Sequence, residues 1–364
     1  LEAVRGAGLA DPFVIVPKAE GPLLRELATR GFAFEVLELP RHLLEASRRQ
    51  WASSLAAALL RSPSGLAYLS RLVRLLRARK ARVLHTTGIK MHILGAAAGP
   101  LAGARVLWHL RDIFGPGKTR ALMRALELAA RPKVIANSRA TAASYGASAE
   151  VVYNGIDTDA FRPDPALNVK RELGAGDGLP VVGICGVLTR WKGQREFVAA
   201  AADALRAGHR AHFVIVGDEI YDTTGERGVR AELESLIKES GFETHIRIAG
   251  FRNDMPRVYN SLDLLVHAST KPEPFGRVLI EAMACGVPVI ASRDGGVLEI
   301  VTDGSDGLLF APGDTAELGR HVARVLADET LRARLGREGR KTVERRFSSR
   351  VFRERFNGVL KELL

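Results

Sequence analysis

Residues 272–292 read Pro272-Glu273-Pro274-Phe275-Gly276-Arg277-Val278-Leu279-Ile280-Glu281-Ala282-Met283-Ala284-Cys285-Gly286-Val287-Pro288-Val289-Ile290-Ala291-Ser292. The two leading prolines and Gly276 keep the first part out of regular structure. Gly276 to Ala284 has the composition of a short helix, and Gly286 stands where such a helix is closed. Val287 to Ala291 is a β-branched apolar run, so the stretch predicts a loop, a helix and a buried strand. A helix that opens after a glycine presents free backbone N–H groups and its positive dipole end, which suits a phosphate. Glu273 stands just before that end and Glu281 lies inside the helix. Carboxylates beside an anion site do not attract the anion; hydroxyls of a sugar or a ribose suit them better.

The same alternation of strand and helix runs to both sides. Downstream of a stiff stretch, Phe161-Arg162-Pro163-Asp164-Pro165, apolar runs stand at 179–187, 211–216, 245–249, 264–267 and 307–310. Upstream they stand at 13–16, 34–39, 82–85, 105–109, 133–136 and 151–153, with helical patterns over 22–30, 66–79, 90–98 and 119–131. Such alternation is that of doubly wound parallel sheets, and 364 residues exceed what one core usually serves. The expected division is 1–162, 163–345 and a C-terminal helix over 346–364. A sheet of the first kind opens with a strand and a glycine-rich turn, and Leu1–Gly6 reads as the end of the helix after them. Residues of that first loop therefore cannot be named from this sequence.

No apolar run approaches the length of a membrane span, and no leader pattern is visible. Cys185 and Cys285 sit in apolar stretches, as small buried residues of a reducing compartment do. The formal charge of +12 is unevenly placed. Residues 1–160 hold 23 Lys/Arg and 12 Asp/Glu, and the remainder hold 30 and 29. Between Glu45 and Asp112 no acidic residue occurs. Gln50–Leu60 and Leu66–Arg79 are amphipathic within that zone, with Trp51, Leu55, Leu59 and Leu72 among arginines. One-sided basicity of this kind suits an anionic membrane surface, a phosphate-bearing acceptor or nucleic acid, or is a solvated face. Nucleic-acid recognition has no motif here to carry it.

The string E-P-F-G-x-x-x-x-E-A-M-A-x-G-x-P-V-I-A-S, with its E-x7-E spacing, resembles the donor-binding signature of the retaining nucleotide-sugar glycosyltransferases of family 4. The resemblance implies a GT-B fold of two Rossmann-like domains facing a cleft. It also implies transfer of a hexose-type sugar from a nucleoside diphosphate to a hydroxyl acceptor, a lipid-linked one or a polysaccharide among the candidates. No metal or other cofactor is implied. A cytoplasmic enzyme of cell-envelope polysaccharide or glycolipid synthesis, peripheral on the inner face of the membrane, fits the basic first half. A GT-B epimerase acting on a nucleotide sugar stays open as the alternative, although it would normally lack the E-P-F-G block.

Carried over by position, Glu273 contacts the transferred sugar and Glu281 the ribose, with backbone amides of Phe275, Gly276 and Arg277 on sugar and phosphates. Gly183–Gly193 resembles the family's G-R-L-x-x-x-K-G segment, in which Gly186 begins the loop and Lys192 matches the diphosphate-binding lysine. Val187 occupies the family's arginine position; Arg190, three residues on, is the expected replacement. Gly250-Phe251-Arg252 lies where the family holds the base. Gly295-Gly296 with Glu299 resembles a pocket-lining turn. His109, at the end of an apolar run, resembles the family histidine near the reacting carbon, and His85 is a weaker counterpart. Fixed positive charge is needed at such a site because the departing diphosphate gains charge as the anomeric bond breaks. Two further strings fail: Asp157-Thr158-Asp159, the D-x-D of the chain, falls in a turn, and Gly115–Thr119 lacks the first glycine of a P-loop, which is Asp112.

Overall fold

The computed structural model describes residues 2–6, 8–45, 62–146, 149–175, 178–219 and 228–364. The amphipathic stretch Gln50–Leu60 and the arginines Arg48, Arg49 and Arg61 lie outside these residues. The chain divides into two compact units, Leu1–Tyr153 with Phe352–Leu364, and Asn154–Val351.

In the first unit, α1 (Glu2–Arg5), β1 (Phe13–Val16), α2 (Pro22–Thr29), β2 (Ala33–Val36), α3 (Arg41–Glu45) and α4 (Pro63–Ala78) come first. They are followed by β3 (Val83–Thr87), α5 (Ile89–Ala102), β4 (Arg105–Leu110), α6 (Lys118–Ala130), β5 (Lys133–Ala136), α7 (Arg139–Tyr145) and β6 (Glu150–Val151). The strands are parallel, but the single sheet expected from the sequence is two: β1 pairs with β2, and β3, β4, β5 and β6 form a second sheet in that order. Side chains tie the first sheet to the rest of the unit. The Arg79 guanidinium lies 4.2 Å over the Phe13 ring and 3.6 Å from the Glu35 carboxylate. Ile15 and Leu37 share one apolar core with Val106 and Trp108. Helix α5 runs on through Gly99 and Pro100, past the expected end at Ala98. Gly99 permits this, because a Cβ there would stand 2.2 Å from Val106 Cγ2, and the helix lies directly on β4.

In the second unit, β7 (Val181–Cys185), α8 (Gln194–Arg206), β8 (His212–Val216), α9 (Val229–Ser240) and β9 (Ile246–Gly250) build one side of a sheet. Then α10 (Met255–Tyr259), β10 (Leu264–His267), α11 (Arg277–Ala284), β11 (Val289–Ser292) and β12 (Leu308–Phe310) build the other, before α12 (Thr315–Ala327) and α13 (Glu329–Arg346). The order is β12-β11-β10-β7-β8-β9, all parallel. Growth away from β7 in both directions puts the topological switch between β7 and β10, the place where open α/β sheets bind ligands beyond their carboxyl ends.

Helix α11 is fixed from behind. Leu279, Ile280, Ala282, Met283 and Ala284 are buried, and Gly336 of α13 rests on the Gly286 carbonyl, where a Cβ would stand 2.2 Å away. Each large apolar side chain so buried contributes about 1.5–3 kcal/mol, so the helix is held without help from a ligand. The turn 154–162 belongs to this unit: Arg340 Nη1 donates to the Phe161 carbonyl at 2.6 Å and Nη2 to that of Thr158 at 3.1 Å. Asp157 Oδ1 accepts the amides of Asp159 and Ala160, so the D-x-D string is a capped turn. Helix α14 (Ser349–Leu363) closes the chain, and its Phe356, Val359 and Leu360 pack on Leu107, Ile135 and Val152 of the first unit. No described helix is long and apolar enough to cross a membrane.

Candidate functional site

The loop after β7 meets those after β8 and β10 through glycines at the switch point. A Cβ on Gly217 would stand 1.8 Å from the Gly186 carbonyl, and one on Gly193 (φ 79°) 1.8 Å from that of Ala268. Only glycine allows these approaches, and they set the short 3₁₀ turn Arg190–Lys192 beside the end of β10.

From that turn Lys192 reaches Glu273, with Nζ 2.6 Å from Oε2. The same oxygen accepts from Ser269 Oγ at 3.2 Å and lies 3.4 Å from His267 Nε2. Burial alone would raise the Glu273 carboxyl, but the hydrogen bond from His267 and the charge of Lys192 outweigh it and hold the pKa at about 2. The Lys192 contact is 0.8 Å shorter than that of His267 and is the stronger of the two. The loop that carries Glu273 is clamped from the far side, where Gly296 N donates to the Glu273 carbonyl at 2.8 Å. A Cβ on Gly295 or Gly296 would meet that backbone at 2.3 or 2.5 Å. Phe275 is buried edge-on against Phe347, 5.8 Å between centroids, so this residue offers its backbone to the site rather than its ring.

Gly276 (φ 99°) then opens α11 with no side-chain cap. The first amides of the helix keep their donor capacity, and the dipole adds partial positive charge there. One turn along, the buried Glu281 carboxylate has both oxygens engaged: Tyr259 OH donates to Oε2 at 2.8 Å and Arg277 Nε to Oε1 at 2.7 Å. Cys185 and Cys285 are free buried thiols, both pushed up by burial, Cys285 to about 12. Phe251, after Gly250 at the end of β9, is 61% exposed, which is rare for a phenylalanine and leaves a flat apolar face available.

The expected residues are not all brought together. Lys192, Glu273, Gly276 and Glu281 surround the start of α11. Arg190 takes a different partner: its Nε pairs with Glu232 of α9 at 3.4 Å, and Arg195 binds the same carboxylate. His109 belongs to the first unit and is fully buried, second from the end of β4, with its ring 5.6 Å from His85 and 6.4 Å from Phe356. Among the described residues neither of its ring nitrogens has a hydrogen-bond partner, and burial with nearby Arg111 keeps the imidazole neutral. Three groups that sequence reasoning passed over also belong here: His267, Ser269 and Tyr259. His267 could have been found by its position, the last residue of a strand at the switch point.

The family described as Glycosyl transferases group 1 matches residues 167–342, and Glycosyltransferase Family 4 matches residues 23–160. The chain is similar to 2-deoxystreptamine glucosyltransferase of Streptomyces kanamyceticus, 35% identical over 237 residues, which cover 63% of this chain and 55% of that protein. It is also similar to N-acetyl-alpha-D-glucosaminyl L-malate synthase of Bacillus anthracis, 27% identical over 59% of this chain and 54% of that one. The chain thus spans about half the length of the curated relatives it matches. Among solved structures, that of Anabaena Alr3699/HepE in complex with UDP and glucose has a TM-score of 0.80 and 28% identity, covering 96% of this chain and 91% of its own. The fold of the two parallel-sheet units is GT-B.

Proposed function

Because the chain belongs to glycosyltransferase family 4, matched in each of its units, we propose that it moves a sugar from a nucleoside diphosphate to a hydroxyl acceptor, retaining the anomeric configuration. The observation that carries this reading is the uncapped amino end of α11 with Glu273 and Lys192 beside it. A diphosphate at that end receives the free amides of Gly276, Arg277 and Val278 and the ammonium of Lys192. Glu273 holds sugar hydroxyls, Glu281 the ribose, and Phe251 stacks on the base. The Anabaena structure with UDP and glucose supports the donor class.

Catalysis then follows from charge. As the bond from the anomeric carbon to the phosphate oxygen breaks, the leaving diphosphate gains negative charge that the helix end and Lys192 are already placed to receive. The acceptor oxygen forms its bond to the anomeric carbon from the leaving-group side, and its proton passes to a phosphate oxygen of the donor. No enzyme nucleophile and no metal is needed for this sequence. Glu273, held ionised by its neighbours, accepts hydrogen bonds from the sugar and opposes the positive charge that develops on it. Lys192 is shared between Glu273 and the diphosphate once donor is bound. His109 is the histidine of this reading, a neutral imidazole. The acceptor is lipid-linked in this reading, met at an anionic membrane by the basic first unit.

A thermal-shift panel of UDP, GDP, ADP and dTDP, each alone and as its sugar conjugates, tests the proposal. One nucleotide series should raise the melting temperature by mass action, and no shift with any of them would remove the donor site.

A further inference from the structure

We propose that Tyr259 is a positioning residue for nucleotide recognition, its hydroxyl holding the Glu281 carboxylate in the orientation that accepts the ribose hydroxyls. The inference rests on the donor site proposed above and deepens it. Tyr259 ends α10, a short helix separate from α11, and is fully buried, with its ring 6.2 Å from that of Phe161. Its hydroxyl reaches Glu281 Oε2 at 2.8 Å, so one carboxylate oxygen is fixed from the protein interior. The other oxygen, Oε1, is held by Arg277, whose side chain is 68% exposed and comes from the first residue of the same helix.

The two partners are therefore unlike. An exposed arginine one turn away can swing aside at small cost, since exposed i,i+4 pairs contribute well under 1 kcal/mol. A buried phenol cannot, and it has a single rotatable axis along which to aim its proton. Burial and the carboxylate beside it push the phenol pKa well above its ordinary value, so it remains the donor throughout the working range. Without the hydroxyl, Oε2 would be left buried and unsatisfied, and the carboxylate would turn toward solvent or Arg277. Tyr259 thus acts through Glu281 and need not touch the ligand.

The test is calorimetric titration with whichever of UDP, GDP or ADP binds, and with its 2′,3′-dideoxy counterpart. Tyr259→Phe should weaken binding of the ribonucleotide about tenfold, the size expected for loss of one hydrogen bond to a charged group. Binding of the dideoxy nucleotide should change by less than about twofold, so discrimination between the two sugars narrows. Adding Tyr259→Phe to Glu281→Gln should cost nothing further, and the ratio of ribonucleotide to dideoxynucleotide affinity, which does not depend on the fraction folded, answers the question if the single variant folds poorly. An equal loss for both nucleotides, or an unchanged ribonucleotide affinity while Glu281→Gln weakens it, would overturn the role of Tyr259. If Glu281→Gln itself leaves binding unaltered, the donor-site reading fails before Tyr259 is reached.

Discussion

Lys192→Met removes the ammonium next to Glu273 and keeps most of the stem, which isolates the charge. The side chains of the pair are 24% and 13% exposed, so solvent screens them little. Glu273 lies at about 2, against an ordinary 4.5, and at about 1.4 kcal/mol per unit its neighbours together stabilise the folded state by about 3 kcal/mol. Assigning most of this to the 2.6 Å ammonium contact rather than the 3.4 Å imidazole contact gives about 2 kcal/mol for Lys192. For a unit of roughly 200 residues this corresponds to a fall in Tm of about 4–8 °C at pH 7. The sign of the pH dependence follows from a depressed carboxyl. Its contribution is present above the unfolded value near 4.5 and is lost as pH falls toward 2. The gap between wild type and variant should therefore be full at pH 7 and narrow as the pH falls toward about 2, once the carboxyl that has lost its ammonium protonates. Differential scanning calorimetry at pH 7 and about pH 2.5 reads this directly. A Tm unchanged at pH 7, or a gap that is the same at both pH values, would refute the assignment.

Glu281→Ala should weaken nucleotide-sugar binding, whereas Glu273→Ala should chiefly lower kcat; steady-state kinetics in which both variants match wild type would mean the carboxylates are misassigned. Gly193→Ala places a Cβ 1.8 Å from the Ala268 carbonyl at φ 79° and should cost about 3 kcal/mol or more, read as lost Tm or soluble yield. A protein as stable as wild type would contradict that packing. If the basic first unit meets an anionic membrane, the chain should sediment with vesicles containing phosphatidylglycerol and not with purely zwitterionic ones, and the binding should weaken with salt. Equal retention on both would exclude it.

Much of the site around α11 could be read from one stretch of sequence, because a helix flanked by a glycine at each end and followed by an apolar strand is a local pattern. Its partners come from afar and left no local trace. Tyr259 meets Glu281 across 22 positions, and nothing near Tyr259 in sequence distinguishes it from a core aromatic. Arg190 sits in the expected loop, but which acid it pairs with depends on where α9 lies in the fold. His109 shows a different limit. Leu107 and Trp108 are both apolar, so alternation along β4 could not tell which face the histidine takes, and the C-terminal helix covers that face. The break between β1 and β3 was equally hidden, since each strand is apolar by itself while pairing between parallel strands depends on neighbours distant in sequence.

The place where a diphosphate sits decides the function. A crystal structure of the chain soaked with the nucleoside diphosphate selected by thermal shift should place β-phosphate oxygens about 3 Å from the amide nitrogens opening α11 and from Lys192 Nζ, with ribose hydroxyls on Glu281. A diphosphate bound elsewhere, with the Lys192–Glu273 pair and the first amides of α11 untouched, would contradict it.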